Sequence, residues 1–167
     1  MAKRSAGILA YRVQQQNLQV LLVHPGGPFY ARKDAGSWSI PKGEFTETEN
    51  PLAVAIREFE EETGNRIHSD EFIPLQPVRN KSGKEISAWA AEADFEKCFI
   101  RSNTFELEWP PNSGKMQEFP EVDRAEWFPL DEAHRRIHPA QQDLLVQLEL
   151  MIRQRGRGSS SVQKNQR

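Results

Sequence analysis

The sequence is poor in cysteine, in long apolar runs and in charge of one sign. Cys98 is its one cysteine, so neither an internal disulfide nor a cysteine-built zinc site can form. A lone cysteine is expected to be a small packing residue. The longest apolar stretches are a few residues, such as Val20-Leu21-Leu22-Val23, where about 20 are needed to span a bilayer. The apolar Ala6 to Tyr11 follows Lys3 and Arg4 but is cut short by Arg12, which is too brief for the core of a secretion signal. No membrane partner is expected, and the cytoplasm is the expected compartment. Lys and Arg total 22 against 24 Asp and Glu, a net charge of −2, which gives no global basic field for nucleic acid. His134 and His138 are four apart but have no acidic partner motif, so they are expected on a helix surface rather than on a metal. Gly26-Gly27 lacks the spacing of a phosphate-binding P-loop.

What is present suits one globular domain. Hydrophobic residues make up 37% of the 167, with 9 Phe and 4 Trp, enough for a real core. Charge is uneven along the chain. Residues 153–167 hold five basic side chains and no acidic one; since the whole chain carries −2, the preceding 152 carry −7. The division expected is a folded domain over 1–152 and a basic, disordered tail over 153–167. Ala6 to Val13 and Leu18 to Val23 read as a hairpin, and His24-Pro25-Gly26-Gly27-Pro28 as the loop that ends it. Trp38 to Ile40 is a short strand stopped by Pro41-Lys42-Gly43. Asn50-Pro51 is a helix start and Gly64 a stop. Ile86 to Phe95 is a further strand, a helix begins at Leu130-Asp131-Glu132-Ala133, and Leu144, Leu145, Leu148 and Ile152 recur at helical spacing from Pro139 to Arg153. The sum is a mixed α/β domain.

The helix opened by Asn50 carries the chemistry. At about 100° per residue, Leu52, Ala55, Ile56 and Phe59 share one side. Glu58, Glu61 and Glu62 cluster on an adjacent side. Like charges at this spacing repel, and anions near a helix C-terminus oppose its dipole. A triple carboxylate so placed calls for a cation, and hard divalent ions prefer such oxygen ligands, with substrate phosphates completing the shell. A solvated acidic face is the plainer reading of the helix alone.

The neighbouring residues decide between the two. Gly43, Glu49, Arg57, Glu58, Glu61, Glu62 and Gly64 form G-x5-E-x7-R-E-x-x-E-E-x-G, a pattern that resembles the signature of the Nudix hydrolases. With each residue type near ~7% abundance, chance agreement at all seven is on the order of one in a million. One position departs: the residue after Gly64 is usually aliphatic in the family and here is Asn65.

The resemblance implies an α/β/α sandwich with a mixed sheet between helices, and an enzyme. It implies that Glu58, Glu61 and Glu62, with the Gly43 carbonyl, hold Mg²⁺ or Mn²⁺, and that Arg57 orients the acids by pairing with Glu49. A water activated there would attack a phosphorus of a diphosphate linkage. The general base varies within the family. Glu118 and Glu121 are the candidates from a distant loop, and Glu121 is preferred.

Trp38-x-x-Pro41-Lys42-Gly43 is similar to the entry to the box in the dinucleoside tetraphosphate hydrolase branch. Lys42 is a candidate phosphate contact or a surface lysine beside the turn, and Trp38 a candidate base-stacking residue or a core tryptophan of the strand. That branch often has a downstream Tyr, whereas Tyr11 and Tyr30 both lie upstream; Trp89, Phe105 or Trp109 are the possible substitutes. The segment from Asn103 to Gly114 is a candidate wall of the substrate pocket. The expected activity is hydrolysis of a phosphoanhydride in a nucleoside diphosphate linked to another group, with dinucleoside polyphosphates or nucleoside triphosphates favoured. Two rivals remain: a nucleotide-sensing module on the same fold, and an RNA 5′-end pyrophosphohydrolase aided by the basic tail.

Overall fold

The computed structural model describes residues 3–164, with side chains as far as Gly156. Two long strands, β1 (Arg4–Gln14) and β2 (Asn17–Pro25), form the predicted hairpin. Their turn puts Gln15 and Gln16 at positive φ, 50° and 67°, the backbone that a two-residue hairpin turn demands. Next come β3 (Lys42–Glu44), helix α1 (Pro51–Thr63), and the short strands β4 (Ile73–Pro74) and β5 (Val78–Arg79). After them follow β6 (Glu85–Glu92), β7 (Thr104–Glu108), β8 (Met116–Pro120) and β9 (Val122–Pro129). The chain closes with α2 (Leu130–Arg136), a 3-10 turn over Pro139–Gln141, and α3 (Gln142–Lys164).

Seven strands make one mixed sheet. Its main path is β4-β6-β1-β2-β9, with β3 paired to β1 and β5 to β6; β1 and β6 run parallel and the other pairs are antiparallel. Successive residues of a strand face opposite ways, and β1 and β2 are buried on both faces. Ala6, Ile8, Ala10, Leu21 and Val23 pack on one side with Ala55 and Phe59 of α1. Leu9, Tyr11, Val20 and Leu22 pack on the other with Ala133 of α2 and Leu144, Leu145 and Leu148 of α3. Helices on both faces of a mixed sheet are the sandwich expected.

Two expectations need correction. Trp38 is fully buried in the core, with Phe128 edge-on at 4.9 Å and His24 at 5.2 Å, so it has no free face on which to stack a base. The strand expected at Trp38 to Ile40 is two isolated bridges, Val23 with Ser39 and Trp38 with Ile137. Of the tail expected from residue 153, the part described continues α3 to Lys164. Arg153 pairs with Glu149 one turn back, at 2.7 Å, and Arg155 with Glu71 at 2.6 Å. These acids lie outside the segment whose composition suggested a tail. Residues 165–167 of the expected tail lie outside the described residues.

Candidate active site

The site begins with the ends of α1. Asn50 caps the start, its side chain accepting from the Ala53 N–H at 3.0 Å, with Pro51 in the first turn. Gly64 ends the helix in the left-handed region, φ 80°, and donates to the Glu60 carbonyl. A side chain there would also strike Ile100 and the Arg101 backbone, so glycine is needed twice over. Phe59 and Ala55 anchor the inner face, and Glu58 and Glu62 reach β3.

β3 receives them. The Lys42 N–H donates to Glu62 Oε2 at 2.6 Å. Burial pushes the Glu62 carboxyl well up, partly offset by the Lys42 charge, and burial also draws the Lys42 ammonium down. Gly43 lies directly against the Glu58 carboxylate: a Cβ there would overlap Glu58 Cγ and Cδ. Burial raises Glu58, and the charge of Glu61 raises it further. Arg57 lies among the acids, 3.5 Å from Glu49 Oε2, 3.6 Å from Glu58 Oε1 and 3.7 Å from Glu61 Oε1. Glu49 is itself held by the Thr46 N–H and hydroxyl, which with Arg57 keep its carboxyl below the usual range. Since Arg57 is half exposed, these pairs orient more than they stabilise.

Glu121 arrives from the far end of the chain. Its N–H donates to the Asn103 carbonyl and its own carbonyl accepts from the Gly26 N–H, at 2.8 and 2.9 Å. The Asn103 N–H in turn donates to the Glu61 carbonyl at 2.8 Å. Backbone hydrogen bonds therefore tie the C-terminal end of α1, the foot of the β7–β8 hairpin and the loop after β2 into one unit. Burial and the Glu61 charge raise Glu121, and its charge acts on Glu58 and Glu62. Glu118 faces outward on β8, opposite Glu106.

The donor set suits a hard divalent cation, with carboxylates that repel one another and a glycine that lets one approach the backbone. Among the described residues, no three His, Cys, Asp or Glu side chains are gathered into a group able to hold a metal ion by themselves.

The remaining candidates are dispersed. The segment from Asn103 to Gly114 does not wall the cavity beside Lys42. Instead Phe105 packs on Phe119 and beneath Gly27, and Trp109 meets Phe29 at 5.4 Å. Trp89 is half-buried in the core on the α1 side. Cys98 is half-buried, its thiol donating to the Ala125 carbonyl and its pKa raised by burial. His138 sits between α2 and α3, where its Nδ1 accepts from the Ala140 N–H.

Three positioning residues had no clear signal in the sequence. His24, fully buried, has Nδ1 2.7 Å from Asp123 Oδ1 and Nε2 2.6 Å from the Lys33 carbonyl. A carbonyl only accepts, so Nε2 carries a hydrogen. Asp34 accepts from Trp38 Nε1 at 2.8 Å and pairs with Arg136. Gln141, also buried, accepts from the Ile40 N–H at 3.0 Å and donates to Ser39 Oγ. Together they fix the loop from Pro25 to Ile40 that leads into Lys42 and Gly43.

Comparison with known proteins follows the same lines. The model of the NUDIX domain matches residues 1–148. The mRNA-decapping enzyme subunit 2 of Saccharomyces cerevisiae is 28% identical over 130 residues, covering 75% of this chain; the chain spans only 11% of the length of that relative. The NUDIX domain of Shewanella oneidensis NrtR, solved with ADP ribose, superposes with a TM-score of 0.64 at 19% identity, over 91% of this chain and 89% of that one. A C. elegans Ap4A hydrolase gives 0.58 at 20% identity, over 90% and 98%. At these identities the structural likenesses speak to fold.

Proposed function

The chain belongs to the NUDIX domain family of pyrophosphohydrolases, and from that premise we propose that it hydrolyses a phosphoanhydride in a nucleoside diphosphate linked to another group, with dinucleoside polyphosphates or nucleoside triphosphates as the favoured class. One observation carries the reading. Glu58 lies against the Gly43 backbone, and the charges of Glu61 and of Glu121, which is remote in sequence, both act on its carboxyl. The Trp38-x-x-Pro41-Lys42-Gly43 entry supports the dinucleoside branch.

Glu58, Glu61 and Glu62, with the Gly43 carbonyl, would hold Mg²⁺ or Mn²⁺. When bound, such an ion neutralises phosphate charge and acidifies water. Glu121, its carboxyl raised by burial and by the Glu61 charge, takes the proton from the attacking water. The water oxygen bonds to phosphorus, the bridging P–O bond breaks, and the leaving phosphate departs with that electron pair. Arg57 keeps the carboxylates apart and aimed. Lys42 fixes Glu62 through its N–H and offers its ammonium to a phosphate oxygen. On this reading residues 1–152 suffice for hydrolysis, and the basic remainder, which begins within α3, is not required for it.

The test is a product-resolved hydrolysis screen with Mg²⁺. It covers diadenosine tetraphosphate, nucleoside triphosphates, ADP-ribose, NADH, diphosphoinositol phosphates and 5′-triphosphorylated RNA, with Glu61→Gln alongside. Turnover of one compound, lost in the variant, supports the reading; turnover unaffected by Glu61→Gln overturns it. The decapping relative favours a second reading, an RNA 5′-end pyrophosphohydrolase. On that reading, RNA is preferred over free nucleotides, and removing residues 153–167 weakens RNA turnover alone.

A further inference from the structure

A cavity of about 540 Å³ opens beside Lys42, well within the range of small-molecule sites, ~300–1,000 Å³. The loop after β2, the start of β6 and the turn before α3 build its walls. Lys33, Lys42 and Lys84 all line it, together with Tyr30, Ser37 and His138. Asp34 is its one lining carboxylate, and that group is already committed to Trp38 Nε1 and Arg136. The His138 Nδ1 acceptor is taken by the Ala140 N–H, which leaves Nε2 as the ring's donor. Lys84 Nζ touches Glu44 at 3.1 Å and Lys33 Nζ stands 5.3 Å from the Tyr30 ring. Neither contact buries its lysine in a closed pair, and both retain donors for a ligand.

The polarity of the two sides is opposite. Across Lys42 lie the acids of α1; the cavity itself is lined by three lysines against the one carboxylate of Asp34. A neutral nucleobase or sugar has no use for three lysines, whereas a chain of phosphates does. We propose that this cavity is an anion subsite for phosphate groups beyond the scissile linkage. Lys33 and Lys84 are its specificity-determining residues, so substrates with three or more phosphates are favoured over those that present only a sugar or a base. The inference rests on the hydrolase reading above, whose scissile linkage lies at the α1 acids, and it names the substrate class of that site.

The test is calorimetric binding of inorganic tripolyphosphate to the full chain in EDTA, so that no divalent ion contributes. The wild type is expected to bind, with affinity falling as salt is raised. The Lys33→Met/Lys84→Met double variant should bind at least about tenfold more weakly, the scale of losing charge-assisted hydrogen bonds. Lys33→Arg/Lys84→Arg should recover much of that loss, and thermal unfolding of each variant checks that the fold is kept. The subsite is overturned if the wild type does not bind, if the double variant binds equally well, or if adenosine displaces tripolyphosphate. The two readings fail separately. Binding as described with no turnover in the hydrolysis screen removes the hydrolase reading alone. Turnover with tripolyphosphate binding indifferent to the lysines removes the subsite alone.

Discussion

Gly43→Ala separates catalytic geometry from stability. Gly43 lies outside the left-handed region, so alanine is conformationally acceptable and should gain ~0.4–1 kcal/mol by restricting the unfolded chain. Its methyl would overlap the Glu58 side chain, which belongs to a flexible residue and can swing away. Forcing that rotamer costs ~0.5–1.5 kcal/mol. The two effects nearly cancel, and for a domain of this size 1 kcal/mol is about 2–4 °C, so Tm should stay within about 4 °C of wild type. Activity should not survive so well. A carboxylate displaced by about 1 Å from its working position loses on the order of a hundredfold in rate. The assay is kcat/KM on the best substrate of the screen, beside thermal unfolding in the same buffer. Gly7→Ala is the contrast, because its methyl would meet the Pro41 carbonyl. Backbone cannot swing aside, and ~1–3 kcal/mol of overpacking should lower Tm by several degrees. Wild-type kcat/KM in Gly43→Ala, with Tm unchanged, would falsify the placement of Glu58 against Gly43 as a requirement of catalysis.

Three further outcomes are expected. Trp38→Phe loses the bond to Asp34, about 1 kcal/mol, and should lower Tm slightly with KM unchanged; a severalfold rise in KM would contradict its place in the core. His24→Leu leaves the Lys33 carbonyl and Asp123 without their partner, ~1–3 kcal/mol, so thermal unfolding should begin several degrees lower, and an unchanged Tm refutes the role. In EDTA, Glu58→Gln should be more stable than wild type at pH 8, because the folded protein raises the Glu58 pKa and so disfavours its charge. The raised group contributes stability below its unfolded value, near 4.5, and loses it as pH rises through the folded value. The advantage of Glu58→Gln should therefore shrink as pH falls from 8 toward 4.5, and a gap that widens on acidification defeats the argument.

Helix α1 was legible because its signals are local. Asn50, Pro51 and Gly64 act within one turn of themselves, and the spacing of Glu58, Glu61 and Glu62 needs only the helical period. Glu121 was a candidate only through the family resemblance, since what holds it in place is the Asn103 carbonyl and the Gly26 N–H, both distant in sequence. The strand β8 was missed for a related reason. Its residues are mostly exposed and alternate weakly, and only pairing with β7 makes them a strand. Composition could not show the partners of Arg153 and Arg155, because Glu149 and Glu71 lie elsewhere in the chain. Trp38 had both readings open in sequence, and packing against His24 and Phe128 decided for the core.

The clasp beneath the β7–β8 hairpin has a consequence for how such a protein can change. Glu121 donates to the Asn103 carbonyl and the Val122 N–H to Ser102 Oγ, at 2.8 and 2.9 Å. The excursion from Thr104 to Pro120 therefore leaves and returns at one fastened point. Closing a loop of different length costs little extra entropy once its ends are held, about 0.6 kcal/mol per doubling. The hairpin is thus an interchangeable module. It can be lengthened, trimmed or grafted with another recognition element while Glu121 stays where α1 holds it.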